Sequence, residues 1–229
     1  MSYAALQSSL RVQQLDIFGA FHPLAADTLP SGTKTLLLLG PHEPEFWPNF
    51  TASPEYRDGT PDPLDRWSKR VVTPWAAAQN ATALFPSDGP PYAPFIQWAR
   101  RSGRTWESPV GLLVNDVAGL FVSFRAAVAL PVHIDLPATG PNPCVTCAKP
   151  CQTACPVNAL TGGDAGGYDV ATCKSYLNSA AGNACMETGC LVRSACPAGQ
   201  QYGRLAEQSA FHMAAFNPDD PTPDPDPPR

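Results

Sequence analysis

From Tyr3 to Leu15 the apolar residues Ala5, Leu6, Leu10 and Val12 fall on roughly one helical face, which predicts a first helix. Leu15 to His22 is apolar and strand-prone around Gly19, so it reads as a strand with Gly19 as the place for a bulge. Pro30, Ser31 and Gly32 make a turn. Thr33 to Leu39 is mostly apolar without alternation, the pattern of a central strand. It ends at Gly40, Pro41 and His42, in a loop of the kind that often faces a site.

Pro44 to Phe50 predicts a short helix carrying Phe46 and Trp47. After a turn at Thr60 to Pro63, Leu64 to Ala81 reads as a helix. Its Leu64, Trp67, Val71, Trp75 and Ala78 recur at spacings of three and four, and Pro74 should kink or divide it. Ala83 to Phe85 is a strand, followed by the turn-rich Pro86 to Pro91. Phe95 to Ser102 is a short helix closed by Gly103. Pro109 to Asn115 and Leu120 to Leu130 read as two strands joined at Asp116 to Gly119, the signal of a hairpin. Pro131 to Pro143 is a proline-rich linker. Near the end, Gly199 to Phe216 predicts a helix or arm that packs back through Phe211, Met213 and Phe216. The pattern predicts an α+β fold: a mostly antiparallel front sheet with helices, then a small second unit.

Cysteine placement changes that picture most. All eight cysteines lie between Cys144 and Cys196, with none in the 143 residues before or the 33 after. Cys144, Cys147, Cys151 and Cys155 follow the spacing C-x2-C-x3-C-x3-C, with Pro156 next. Cys173, Cys185, Cys190 and Cys196 follow C-x11-C-x4-C-x5-C, with Pro197 next. A four-iron cluster needs four thiolates, three of which one tight loop can supply while the fourth comes from elsewhere. The proline after the last cysteine of a run stops the loop and fixes φ. Val157, Ala159 and Leu160 then suit a short apolar turn over cluster sulfur. Four disulfides would go with a secretory signal, and Met1 to Arg11 has no basic region followed by an apolar stretch. Structural zinc is the stronger rival, but only Cys144 and Cys147 have its C-x2-C spacing, and zinc does not account for two Cys-Pro endings.

This cysteine block resembles a bacterial-type ferredoxin domain with two [4Fe-4S] clusters. It spans about a quarter of the chain. The first run departs from the usual C-x2-C-x2-C-x3-C-P by one residue within Ala148 to Pro150, and the second is stretched further. The Cys173-Lys174-Ser175-Tyr176-Leu177 segment with a distant Cys-Pro is similar to the second run of epoxyqueuosine reductases and corrinoid reductive dehalogenases. The whole chain resembles bacterial proteins known only as ferredoxins, with a cysteine-free domain in front. In such ferredoxins the last cysteine of each run crosses to the other cluster. The resemblance therefore implies Cys144, Cys147, Cys151 and Cys196 for one cluster, and Cys155, Cys173, Cys185 and Cys190 for the other.

Composition agrees with such a protein. The 229 residues are 44% hydrophobic and only 15% charged, enough for a real core. The net charge of −5 gives no footprint for nucleic acid. Part of it sits in Asp219, Asp220, Asp224 and Asp226, so residues 217–229 are expected to be a disordered acidic, proline-rich tail. The longest apolar run, Val117 to Val132, is broken by Arg125 and too short to span a membrane. Free thiols without a secretory signal point to the cytoplasm.

The remaining chemistry is sparse. His22, His42, His133 and His212 are scattered, none at metal-ligand spacing from another. Neither a dinucleotide-binding glycine motif nor a P-loop is present. Asp62, Asp65 and Arg66 sit where helix capping would use them. Lys149, Lys174 and Arg193 lie beside ligand cysteines, where they either offset cluster charge and raise its potential or serve only solubility. Phe46, Trp47, Trp67, Trp75, Phe95, Trp98 and Trp106 are read as core, with a flat-ligand pocket as the sharper alternative.

The expected organisation is residues 1–135 as an α+β domain, 136–216 as a ferredoxin-like iron–sulfur domain, and 217–229 as tail. The expected function is electron transfer through two [4Fe-4S] clusters to a redox partner protein or small acceptor. The alternative is a reductase-type enzyme whose clusters serve a corrinoid, flavin or other acceptor in the front domain, the loops after Leu39 and Phe85 forming its rim. A third reading is a structural iron–sulfur or zinc module that stabilises a binding surface.

Overall fold

The computed structural model describes residues 1–161 and 167–218. The fold is α+β, with every strand pairing antiparallel. Its elements run α1 (Tyr3–Val12), β1 (Leu15–Phe21), β2 (Thr35–Pro41), α2 (Phe46–Thr51), α3 (Pro54–Arg57) and α4 (Pro63–Ala78). Then come β3 (Thr82–Leu84), α5 (Phe95–Arg101), β4 (Thr105–Glu107), β5 (Leu113–Asn115) and β6 (Ala126–Leu130). The cysteine half carries α6 (Val170–Leu177), α7 (Asn183–Thr188), α8 (Leu191–Ser194) and α9 (Ala206–Phe216). Among the described residues, no helix is long and apolar enough to cross a membrane.

The main sheet has the order β1-β2-β6-β3. β2 is the buried centre expected from its apolar run, and its alternate residues feed two cores. Leu37 and Leu39 meet Phe46, Phe50, Trp67 and Val128 on one face, while Leu36 and Leu38 meet Phe95 and Trp98 on the other. β1 pairs with β2 through a register shift between Ile17 and Gly19, the bulge its glycine suggested. A Cβ on Gly19 would come within 2.5 Å of the Ser102 side chain, so the close approach there needs glycine. The expected aromatic set is core: the Phe46 ring meets Trp67 edge-on with centroids 5.2 Å apart.

Two expectations fail for physical reasons. Pro74 does not divide α4, because it lies on the helix's exposed side, where the lost backbone bond faces water. The helix stops instead at Gln79 and Asn80, where Asn80 has φ 54°. The predicted hairpin of Pro109–Asn115 with Leu120–Leu130 does not form. β5 pairs back onto β4, and β6 pairs with β2 and β3. Asn115 redirects the chain: its side-chain oxygen accepts from Val117 N and Ala118 N at 3.0 and 3.1 Å, while its Nδ2 donates to the Phe18 and Arg104 carbonyls at 3.1 and 2.9 Å. Leu120 then turns toward the cysteines, so residues 120–124 lie outside the sheet, which the chain rejoins where Arg125 N donates to the Leu39 carbonyl at 2.8 Å.

In the last helix, Phe211 reaches back to the front core, with its ring centroid 5.4 Å from Trp47 and 5.9 Å from Phe50. Of the expected tail, residues 219–229 lie outside the described residues.

Candidate metal centre

Short turns place each cysteine. Cys151 sits in a 3-10 turn at Pro150–Gln152, Cys173 within α6 and Cys185 within α7. Cys190 caps α8, and Cys196 precedes a 3-10 turn at Pro197–Gly199. Backbone amides turn toward sulfur, as a thiolate site requires. Lys149 N donates to Cys147 Sγ at 3.2 Å, with Lys149 held at φ 57°, and Ala159 N donates to Cys155 Sγ at 3.3 Å.

The thiols influence one another in two sets. Cys144 is pushed up first by burial, then by the charges of Cys196, Cys147 and Cys151. Cys151 is pushed up by burial, then by Cys196 and Cys147. Cys185 is raised by burial, then by Cys190, Cys173 and Cys155. Cys173 is likewise raised by burial, then by Cys190 and Cys155, against a hydrogen bond from Tyr168 that lowers it. A cavity of about 250 Å³ is lined by Cys155, Cys173, Cys185 and Cys190, and another of about 470 Å³ by Cys144, Cys147 and Cys196.

Burial and mutual repulsion oppose four thiolates in one place unless a strongly positive centre compensates them. This donor set fits iron–sulfur clusters. Among the described residues, no three His, Cys, Asp or Glu side chains close on a single metal ion. A four-iron cube instead spreads its thiolates over four corners.

The surrounding shell comes partly from the front half, which reading the cysteine run alone does not reveal. Val110, Val114 and Leu120 pack with Cys151, Cys196 and Val192. Phe121, Val122 and Ser123 line the same cavity as Cys155 and residues of α9. The loops after Leu39 and Phe85, expected at a rim, do not line it. The first is drawn to Tyr202, whose hydroxyl donates to the Pro41 carbonyl, and Asp88 in the second pairs with Lys69.

The three flanking cations differ. Lys149 is exposed, and the Lys174 ammonium lies 5.4 Å from the centroid of the Phe216 ring. Arg193 is half-buried as a whole residue, yet its guanidinium donates to the Leu120 carbonyl and lies deep enough for burial to pull its pKa down. Arg204 and His212 line the same cavity. Burial, then Arg204, Arg125 and Arg193, hold His212 down at about 3, so it is neutral near pH 7. His22 and His133, distant in sequence, stack with ring centroids 3.8 Å apart. Of the expected capping group, Asp62 makes no side-chain cap, Asp65 lies 3.8 Å from Arg125, and Arg66 binds Asp58 instead.

Glu43 was invisible as a candidate. It is 8% exposed, and neither carboxylate oxygen has a hydrogen-bond partner. Burial is the main cause that pushes it up to about 7; nearby Gln208 and Arg204 pull the other way, although the Gln208 amide is not in hydrogen-bonding geometry.

No protein-family profile matches the chain, and no curated protein matches it. Among solved structures, a crystal structure of selenomethionine-labelled epoxyqueuosine reductase is similar, with a TM-score of 0.49 and 14% identity, over 90% of this chain and 68% of that one. This is a distant likeness, and no functional residue is carried over from it.

Proposed function

We propose that this protein is an iron–sulfur redox protein that transfers electrons through two [4Fe-4S] clusters. One observation carries the reading: of eight thiols concentrated in residues 144–196, Cys155, Cys173, Cys185 and Cys190 line one cavity and Cys144, Cys147 and Cys196 line another, with Cys151 grouped to the latter by the charges of Cys196 and Cys147 that it feels. In this reading Cys144, Cys147, Cys151 and Cys196 hold one cluster, and Cys155, Cys173, Cys185 and Cys190 the other. The grouping of thiol charges and the cavity linings support that crossed pairing. The clusters, when bound, supply one-electron redox chemistry. The chain's part is to position the thiolates, turn amides toward them and keep water away with Val110, Val114, Leu120 and Val192. We assign residues 136–216 to this unit, residues 1–135 to a supporting α+β unit, and the whole to the cytoplasm. The electron acceptor is a redox partner protein or a small molecule.

A reductase is the second reading, in which a corrinoid, flavin or other acceptor sits beside the second set. The extension of that cavity to Phe121, Arg204 and Phe216 favours it. Anaerobic purification followed by iron, sulfide, zinc and cobalt analysis tests both. About eight iron and eight sulfide per chain support the cluster reading. Zinc in place of iron overturns it, and stoichiometric cobalt selects the corrinoid variant.

A further inference from the structure

The two thiol sets have unequal surroundings. Around the first, the nearby cation is Lys149, exposed to water, where its charge is screened. Around the second, Tyr168 donates its hydroxyl to Cys173 Sγ at 3.2 Å. The Tyr168 ring is held by stacking on Phe216, with centroids 6.0 Å apart. Arg193 is three residues after Cys190 and feels that thiol's charge, while its guanidinium is anchored on the Leu120 carbonyl. Arg204 adds a second cation to the same cavity.

These differences act in one direction. Adding an electron makes a thiolate-ligated cluster more negative. Hydrogen bonds to sulfur and nearby positive charge stabilise that form and raise the potential. A charge in a protein interior, at an effective dielectric of about 20, acts roughly four times more strongly than in water at about 80. Water around the first set also favours its reduced form, but as a screened and reorienting medium, not as a fixed cation. The half-buried arginines lining that cavity and the phenol therefore decide the order.

We propose that Tyr168 and Arg193 are positioning residues that make the second set, Cys155, Cys173, Cys185 and Cys190, the higher-potential centre and so the exit point for electrons. This rests on the two-cluster reading above. One electron enters the first centre from an external low-potential one-electron donor and passes to the second. The first is oxidised by one electron, the second is reduced by one, and no bond or proton changes hands. The cavity beside Phe121 then places the acceptor next to the centre at which the electron arrives.

The test is a potentiometric titration of the full-length holoprotein, followed by electron paramagnetic resonance, with iron counted in each sample. Wild type should show two one-electron waves. Tyr168→Phe keeps the ring and removes only the donor; it should move the upper wave to lower potential and leave the lower wave in place. Arg193→Met should move the same wave, and Arg193→Lys should return it part of the way. A single unresolved wave, or an upper wave unmoved by Tyr168→Phe, overturns the inference while eight iron leave the cluster reading standing. If Arg193→Met loses iron, Tyr168→Phe alone decides. Wild-type protein without iron overturns the cluster reading and the inference with it.

Discussion

The Tyr202 hydroxyl donates to the Pro41 carbonyl at 2.8 Å, joining the end of the central strand to the segment that follows the last cysteine. Tyr202 is 7% exposed, and its ring meets Phe18 edge-on at 5.9 Å. The bond crosses 161 residues of sequence, so it reports whether the cysteine half is docked on the sheet. Tyr202→Phe keeps the ring contact and removes this bond. Stability to urea should fall by about 1–2 kcal/mol, the usual cost of a buried carbonyl left without its donor. An unchanged midpoint would mean that the two halves do not depend on this bond.

Asn115 should be more sensitive. It is fully buried and satisfies backbone groups on three segments at once. Asn115→Ala leaves several of them unpaired, and we expect a loss of about 3 kcal/mol or more. Denaturant unfolding measures it. A loss under about 1 kcal/mol would show that the turn is held by other contacts.

Glu43 gives a pH signature. Its pKa in the folded protein is about 7, against 4.5 for an ordinary glutamate. Below the ordinary value it is protonated whether folded or not, and no penalty exists. As pH rises toward 7 the unfolded chain releases the proton while the folded one keeps it, so stability falls. Above 7 the full penalty, about 3 kcal/mol, is present. Glu43→Gln removes the titration, so its melting temperature should gain on wild type as pH rises from about 5 to 7 and the gap should level off above that. A gap that does not change with pH would place the ionised form in better company than Arg204 and Gln208 suggest.

Cluster pairing can be read from non-additivity. Cys196→Ala should cost about four iron per chain. Cys144→Ala with Cys196→Ala should cost no more iron than either alone, because both act on one cluster. Cys173→Ala with Cys196→Ala should cost all of it. The reverse pattern of losses would assign Cys196 to the second set.

Local signals were enough for the α+β class, the central strand (read at Thr33–Leu39, formed at Thr35–Pro41), the bulge at Gly19 and the helix ending before Gly103, because periodicity and glycine act over a few residues. The eight cysteines pointed to iron–sulfur chemistry for the same reason, since ligand type and spacing are local properties. The tertiary structure alone decided the rest. Residues 109–130 look like a hairpin until the buried Asn115 amide finds the Arg104 carbonyl and, far earlier in the chain, the Phe18 carbonyl, and β6 pairs with β2 instead. Nothing near Glu43 in sequence announces a buried carboxyl, because Tyr202, Arg204 and Gln208 are brought to it by the return of the chain after Cys196. Arg193 reads as one of three equivalent cations in the sequence. The tertiary structure separates them: Arg193 is anchored on the Leu120 carbonyl from the other half of the molecule, Lys174 lies over the Phe216 ring, and Lys149 is exposed.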